Sequence, residues 1–341
     1  MCSKRKRTEE LQSTRPDPLN SPLTCWLFTR SKKRMEIENG DGVGSGEDLF
    51  DLAALNTRIK QWQEAANDTP DSEMGNLSPS TVHRLLHEPW GDVESIIQFQ
   101  TDLHISEFAG AIIFRRVRRL LEIIHAAGGV KATPNGNLTR ALVREFLEDP
   151  EMDASEWIRI LRDQKAVNEE DFFPLHVAKL VCRCAGLLRL HRGRLGVTVR
   201  GSSLLGPDRA GELFVRLFTG CFRKFNLAYA YRPYLDVPAL QRCAAYSLYR
   251  LREEARDWNS FEALYPRVFL PAVREQLETK LADHSWMTPA ESAGGRIFEP
   301  LLDFGLLQGR YKRRHRMDSL EAVRIAPLFE RVLRFGEQPP A

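Results

Sequence analysis

Cys182-Arg-Cys184, with His176 before it and His191 after it, groups residue types that bind metals. Two residues apart on a helix point about 200° from one another, so the two sulfurs would diverge from a shared ion. The spacing fits structural thiols instead. No His-Glu-x-x-His, no Ser/His/Asp arrangement and no carboxylate pair at a recognisable spacing stands elsewhere. The glycines Gly40, Gly42, Gly44 and Gly46 follow no strand and precede no Gly-Lys-Ser/Thr, so they read as linker and not as a phosphate loop. These residues therefore predict no enzyme, no cofactor and no metal, and no small-molecule substrate is evident.

Cations carry the stronger signal. His176, Lys179 and Arg183 fall at i, i+3 and i+7, on one face of a helix opening at Pro174. Such a face either inserts into a nucleic-acid groove or is simply solvated. Arg189, His191, Arg192, Arg194 and Arg200 lie in and beside the turn that follows, where they either ride on phosphates or serve the turn's need for polar residues. Arg310, Lys312, Arg313, Arg314 and Arg316 crowd one stretch, with His315 among them and only Asp318 nearby. Like charges at this density repel unless an anion compensates them, so either an anionic partner or a solvated loop is expected. Arg115, Arg116, Arg118 and Arg119 share the long helix, where Glu122 lies within i+3 or i+4 of Arg118 and Arg119, and they read as structural ion pairs. The aromatics Phe222, Phe225, Tyr229, Tyr231 and Tyr234 sit at near-helical spacing in an apolar segment, where core packing is the default over base stacking.

The elements that must hold these residues follow from punctuation and period. A helix from Pro174 to Cys184 stops at Ala185-Gly186, and two short strands, 187–191 and 194–198, are joined at Arg192-Gly193. Before it, Ile105 to Ala127 carries apolar residues spaced by three and four and predicts one long helix, ended by Gly128-Gly129. A short strand 130–133, a turn Pro134-Asn-Gly136 and a helix Leu138 to Leu147 come next. Helix, strand, helix, helix, strand, turn, strand is the winged helix-turn-helix order.

Residues 1–47 read as a disordered basic tail, with Met35 an alternative start, and 48–100 as an N-terminal helical segment. Asp48 is a candidate helix cap, and Ser78-Pro79 opens another helix. The winged-helix domain spans 101–206, with an insertion carrying Trp157. A helical middle region spans 207–285, with helices at 211–224, 237–256 and 271–281. The unit 286–341 repeats the junction as Gly305-Leu306-Leu307, after a helix 297–304. A long basic turn 311–318, a strand 320–325 and a final helix 327–335 complete it. The fold class expected is mainly α with short β-hairpins, the last unit being winged-helix-like.

The segments Leu77 to Leu86, Lys131-Ala-Thr-Pro-Asn-Gly-Asn-Leu138, and Ala185-Gly-Leu-Leu-Arg-Leu190 followed by Thr198-Val-Arg-Gly201 resemble an uncharacterised bacterial family. Its members carry a K-L-T-x-x-G-N-L strand-turn-helix and a G-L…L-T-x-x-G wing; Ala132 departs from the first pattern. Phe225 to Tyr229, Arg296-Ile-Phe298 and Phe304-Gly-Leu306 extend the resemblance across roughly 75–335. Some relatives carry a SEC-C cysteine-rich metal motif, which this chain lacks, so the resemblance implies a fold and no zinc.

Composition sets the bounds. In 341 residues, 43% are hydrophobic, enough for real cores in about two domains, and the net charge of +3 argues for no partner by itself. No apolar run is long enough to cross a bilayer. Six irregularly placed cysteines fit a reduced, cytoplasmic protein. The functional expectation is a winged-helix protein that binds DNA or RNA through 174–185, 187–200 and 310–316. The alternative is a module whose winged-helix face docks another protein.

Overall fold

The computed structural model describes residues 52–149, 161–230, 237–283, 287–314 and 317–336. The basic tail, Met35, the Asp48 cap, Trp157, Tyr231, Tyr234 and Arg316 lie outside the described residues. The first helix among the described residues is α1 (Leu52–Asp68), and α2 (Pro79–His87) packs against it. Ser78 caps α2 as expected, its hydroxyl accepting from the Thr81 N–H, with Pro79 at the first helical position. The chain then forms β1 (Ile97–Phe99), α3 (Ile112–Ala126), β2 (Val130–Lys131), α4 (Arg140–Glu148), α5 (Phe173–Cys184), β3 (Leu188–His191) and β4 (Arg194–Val197). The order predicted for 101–206 is present, and β2, β4 and β3 form one antiparallel sheet with β4 in the middle.

The single helix expected over 105–127 is broken. Ile105–Phe108 is a separate 3-10 turn closed by a capping box between His104 and Glu107, and α3 begins only after Gly110. Periodicity cannot see the interruption, because both pieces turn their apolar residues inward. A tertiary contact accompanies it: the backbone of Gly110 lies so close to Gly305 that a Cβ there would stand 3.0 Å from the Gly110 carbonyl carbon.

After β4 come α6 (Val199–Ser203), α7 (Ala210–Arg223), α8 (Leu227–Ala230), α9 (Pro238–Arg242) and α10 (Ala244–Glu254). The helix expected over 237–256 is thus two helices meeting at Cys243. Next are α11 (Phe261–Val268), α12 (Pro271–Leu281), α13 (Pro289–Asp303), β5 (Leu307–Arg314), β6 (Met317–Ile325), α14 (Pro327–Val332) and β7 (Leu333–Phe335). The "long basic turn" is therefore the far half of an extended hairpin. The last segment is not all helix either: β7 leaves it to pair antiparallel with β1, setting Phe99 opposite Leu333.

The C-terminal echo is more complete than the sequence suggests. Two helices that the sequence assigns to the middle region, α10 and α11, precede it, and Asn259 between them bridges antiparallel to Val323 of β6, much as β2 pairs with β4. The junctions match bond for bond. Leu187 N–H donates to Cys182 O at 3.0 Å, and Leu306 N–H to Leu301 O at 2.9 Å. Thr198 N–H donates to Leu187 O, and Ala326 N–H to Leu306 O, both at 2.9 Å. Gly186 and Gly305 both take the left-handed conformation, at φ 74° and 67°, that ends α5 and α13. Between the halves lies α7, whose Phe214, Phe218 and Phe222 stack along one face and meet Phe304 at 5.4, 5.2 and 6.4 Å between ring centroids. One contiguous core runs through both units.

Candidate nucleic-acid interface

The helix expected to enter a groove is not free to do so. Every residue of α5 is buried or half-buried, because it packs between α3 and α7. Lys179 is 1% exposed and His176 7%, so the solvated face predicted for them does not exist; Arg183, in the last turn, is half-buried. The reason is a buried carboxylate just before the helix. Glu169 binds Lys179 Nζ at 2.5 Å and His176 Nδ1, and its second oxygen accepts the Leu138 N–H at 2.5 Å. Lys179 Nζ also donates to Gly136 O and Asn137 Oδ1, both at 3.2 Å. His176 Nε2 shares a 2.9 Å hydrogen bond with the hydroxyl of Tyr229, a partly exposed residue. Burial pushes the Glu169 carboxyl up, but the His176 hydrogen bond, the Lys179 charge and the Leu138 N–H outweigh it and hold its pKa below the usual value. Burial lowers the Lys179 ammonium, with Glu169 offsetting part of the shift. The cluster clamps the turn before α4 onto α5.

The first hairpin is open to solvent. Arg192 and Gly193 both have positive φ, 47° and 71°, the pair of left-handed residues that a two-residue hairpin turn requires. Arg189, His191, Arg192 and Arg194 are exposed, and Arg200 lies beyond them on α6, exposed as well. Arg194 Nη2 donates to Gly129 O at 2.8 Å, which ties the turn before β2 to β4. None of these cations has a carboxylate partner among the described residues.

The second hairpin is longer, with a bulge after Arg310 that leaves Glu321 unpaired between Leu320 and Ala322. Arg310, Tyr311 and Lys312 are exposed. Arg313 and Arg314 fall in β5, and their side chains lie outside the described residues. At the base, Trp258 holds two guanidinium groups over its ring, Arg310 at 4.5 Å and Arg324 at 4.7 Å from the centroid. Arg324 Nε also donates to Gln308 Oε1 at 2.8 Å. Sequence reasoning passed over Trp258, Arg324, Glu169 and the Tyr229 hydrogen bond to His176. Only Glu169 left a signal, standing seven residues before His176 in an acidic stretch preceding a helix.

The remaining sequence candidates fall inside the fold. Arg118 pairs with Glu122 at 2.9 Å as expected, but Arg119 reaches across to Asp149 at 2.5 Å. Phe222 and Phe225 are buried. Cys182 is fully buried while His191 stands exposed on the hairpin. Among the described residues no group of three His, Cys, Asp or Glu is placed to hold a metal ion, and no helix is long and apolar enough to cross a membrane.

No curated protein and no solved structure matches the chain. A family model does: residues 109–211 are similar to the family described as the Y4jL N-terminal domain, a span running from the start of α3 through the first hairpin to the start of α7, narrower than the 75–335 of the motif resemblance.

Proposed function

We propose that the chain is a winged-helix nucleic-acid-binding protein that grips phosphate backbones with its two basic hairpins, and not with the helix preceding the first. Helix, strand, helix, helix and hairpin in this order supports a winged-helix reading, and the second half follows the order with a single bridge at Asn259 for the strand and one added helix, α12. The observation that carries the reading is a set of exposed cations, Arg189, Arg192, Arg310 and Lys312, that have no carboxylate partner among the described residues and stand on two hairpins. With Lys179 and His176 buried, neither reads a base edge, so contacts fall mainly on phosphates and binding is weakly sequence-selective.

The test is fluorescence anisotropy with random duplex DNA and with structured RNA at low and moderate salt. Affinity should fall steeply with salt, and Arg310→Glu with Lys312→Glu should weaken binding and flatten the salt slope by roughly two units. Lys179→Met should leave any binding by the folded chain unchanged. No association at low salt would refute the proposal. A second reading rests on two apolar side chains beside the first hairpin, Leu190 at 38% and Val199 at 91% exposure. They suit docking of a protein partner, and in that case a pull-down returns a stoichiometric protein that Val199→Asp releases.

A further inference from the structure

The two hairpin sheets differ most on their outward faces. In the first, Arg189, His191 and Arg194 share that face with Lys131, because residues paired across strands point to the same side and alternate residues to opposite sides. Lys131 is paired with Arg194, and Arg194 with His191, so three basic side chains stand in one row across β2, β4 and β3. All are exposed, and none has a carboxylate partner among the described residues. Like charges directly opposite one another weaken a sheet, so the row favours a polyanion over an uncharged partner.

The second unit contains an occupant for the same face. By register, Gln308 and Arg324 stand where Arg189 and Gly196 stand in the first unit, and Gly309 and Val323 where Leu190 and Leu195 stand. The third strands agree: Val130 pairs with Leu195 and Asn259 with Val323, so Trp258 takes the place of Gly129. The second face is thus filled from within, the Trp258 indole carrying the Arg310 and Arg324 guanidinium groups at 4.5 and 4.7 Å from its centroid. In the first unit, glycine replaces both the indole and the second of these arginines. A Cβ on Gly196 would have nothing within 4 Å, and one on Gly129 would stand 3.8 Å from the Gly196 Cα and 3.9 Å from Arg194 Nη2. An open floor therefore lies between Arg194 and Arg189, the residue paired with Gly196. Planar guanidinium groups stack on aromatic rings. The ring that the second unit takes from its own chain, the first leaves to a ligand.

We propose that this face binds single-stranded nucleic acid, an unpaired nucleobase lying on Gly196 between Arg189 and Arg194 while Lys131 and Arg192 meet the flanking phosphates. A duplex keeps its bases stacked on one another and offers none to the floor. The inference rests on the hairpins holding phosphates, and adds the base.

Fluorescence anisotropy of the full chain with a single-stranded oligonucleotide and with an abasic strand of equal length tests it. The two carry the same backbone charge, and the intact strand should bind roughly fivefold tighter or more, as a stacked base provides. Gly196→Trp sets an indole on the floor and should abolish the difference while the abasic strand binds as before. Arg189→Lys keeps the charge and loses the plane, so it should narrow the difference and leave the abasic strand unaffected. It remains informative should Gly196→Trp fail to fold. Equal binding of intact and abasic strands, or an undiminished difference in both variants, would overturn the inference and leave the phosphate reading standing. Failure of both strands to bind at low salt would remove the phosphate reading itself. A neutral tryptophan-bearing peptide that binds the wild type and not Gly196→Trp, with the two strands bound alike, would overturn the inference in favour of a protein partner.

Discussion

At the scale of single residues, burial overrules spacing. His176, Lys179 and Arg183 share a helical face in sequence, and polar residues on one face read as solvated. One carboxylate from outside the helix, Glu169, reverses that reading by giving two of them a buried partner. Its removal has a calculable effect. Glu169→Gln leaves Lys179 buried without a counter-charge, and breaking one side of such a pair costs about 3–5 kcal/mol. Urea denaturation at pH 7 should show that loss, and Glu169→Gln with Lys179→Met should recover part of it. The pH dependence has a definite sign. The folded carboxyl titrates below its ordinary 4.5, so on acidification the unfolded chain takes the proton first. The stability Glu169 supplies is complete above pH 4.5 and fades as pH drops through the folded value. Glu169→Gln should flatten that part of the profile, and a variant as stable as the wild type at pH 7 would refute the clamp.

At the scale of elements, two glycines with nearly the same φ separate local strain from tertiary crowding. Gly193 at φ 71° has nothing within 4 Å of where a Cβ would stand; Gly305 at φ 67° has the Gly110 backbone at 3.0 Å. Gly193→Ala should cost about 1 kcal/mol from backbone strain alone. Gly305→Ala should cost more, about 2–3 kcal/mol, because a residue that must also displace a backbone adds steric cost. Chemical denaturation of both variants checks the difference, and equal costs would show that the close approach carries no weight. The same contrast explains what was legible. Turns written in local chemistry, such as Arg192-Gly193, Ser78-Pro79 and Gly128-Gly129, were readable because their causes lie within a few residues. The break before α3, the β7 strand and the length of the second hairpin were not. Gly110 contacts Gly305, β7 pairs with β1, and Arg310 leans on Trp258, and each of these partners is distant in sequence.

At the scale of the molecule, the repeat was visible only where both copies keep the Gly-Leu-Leu junction. The second unit's first helices were hidden because no comparable motif marks Asn259, whose bridge to Val323 stands in for a strand. What joins the two halves is α7. Its phenylalanines touch Phe108 and Phe114 on one side and Phe304 on the other, while β1–β7 pairing ties residues 97–99 to 333–335. A helix shared in this way couples the units, since neither keeps its core when α7 leaves. Phe218→Ala removes a fully buried ring that touches Trp90, Phe99, Phe222 and Phe304, and should cost about 3–5 kcal/mol. The loss should appear as one transition shifted to lower temperature, with hydrogen exchange accelerating together in α3, α5 and α13. Two separate transitions, with protection lost in only one half, would mean that the halves fold independently and that α7 belongs to one of them alone.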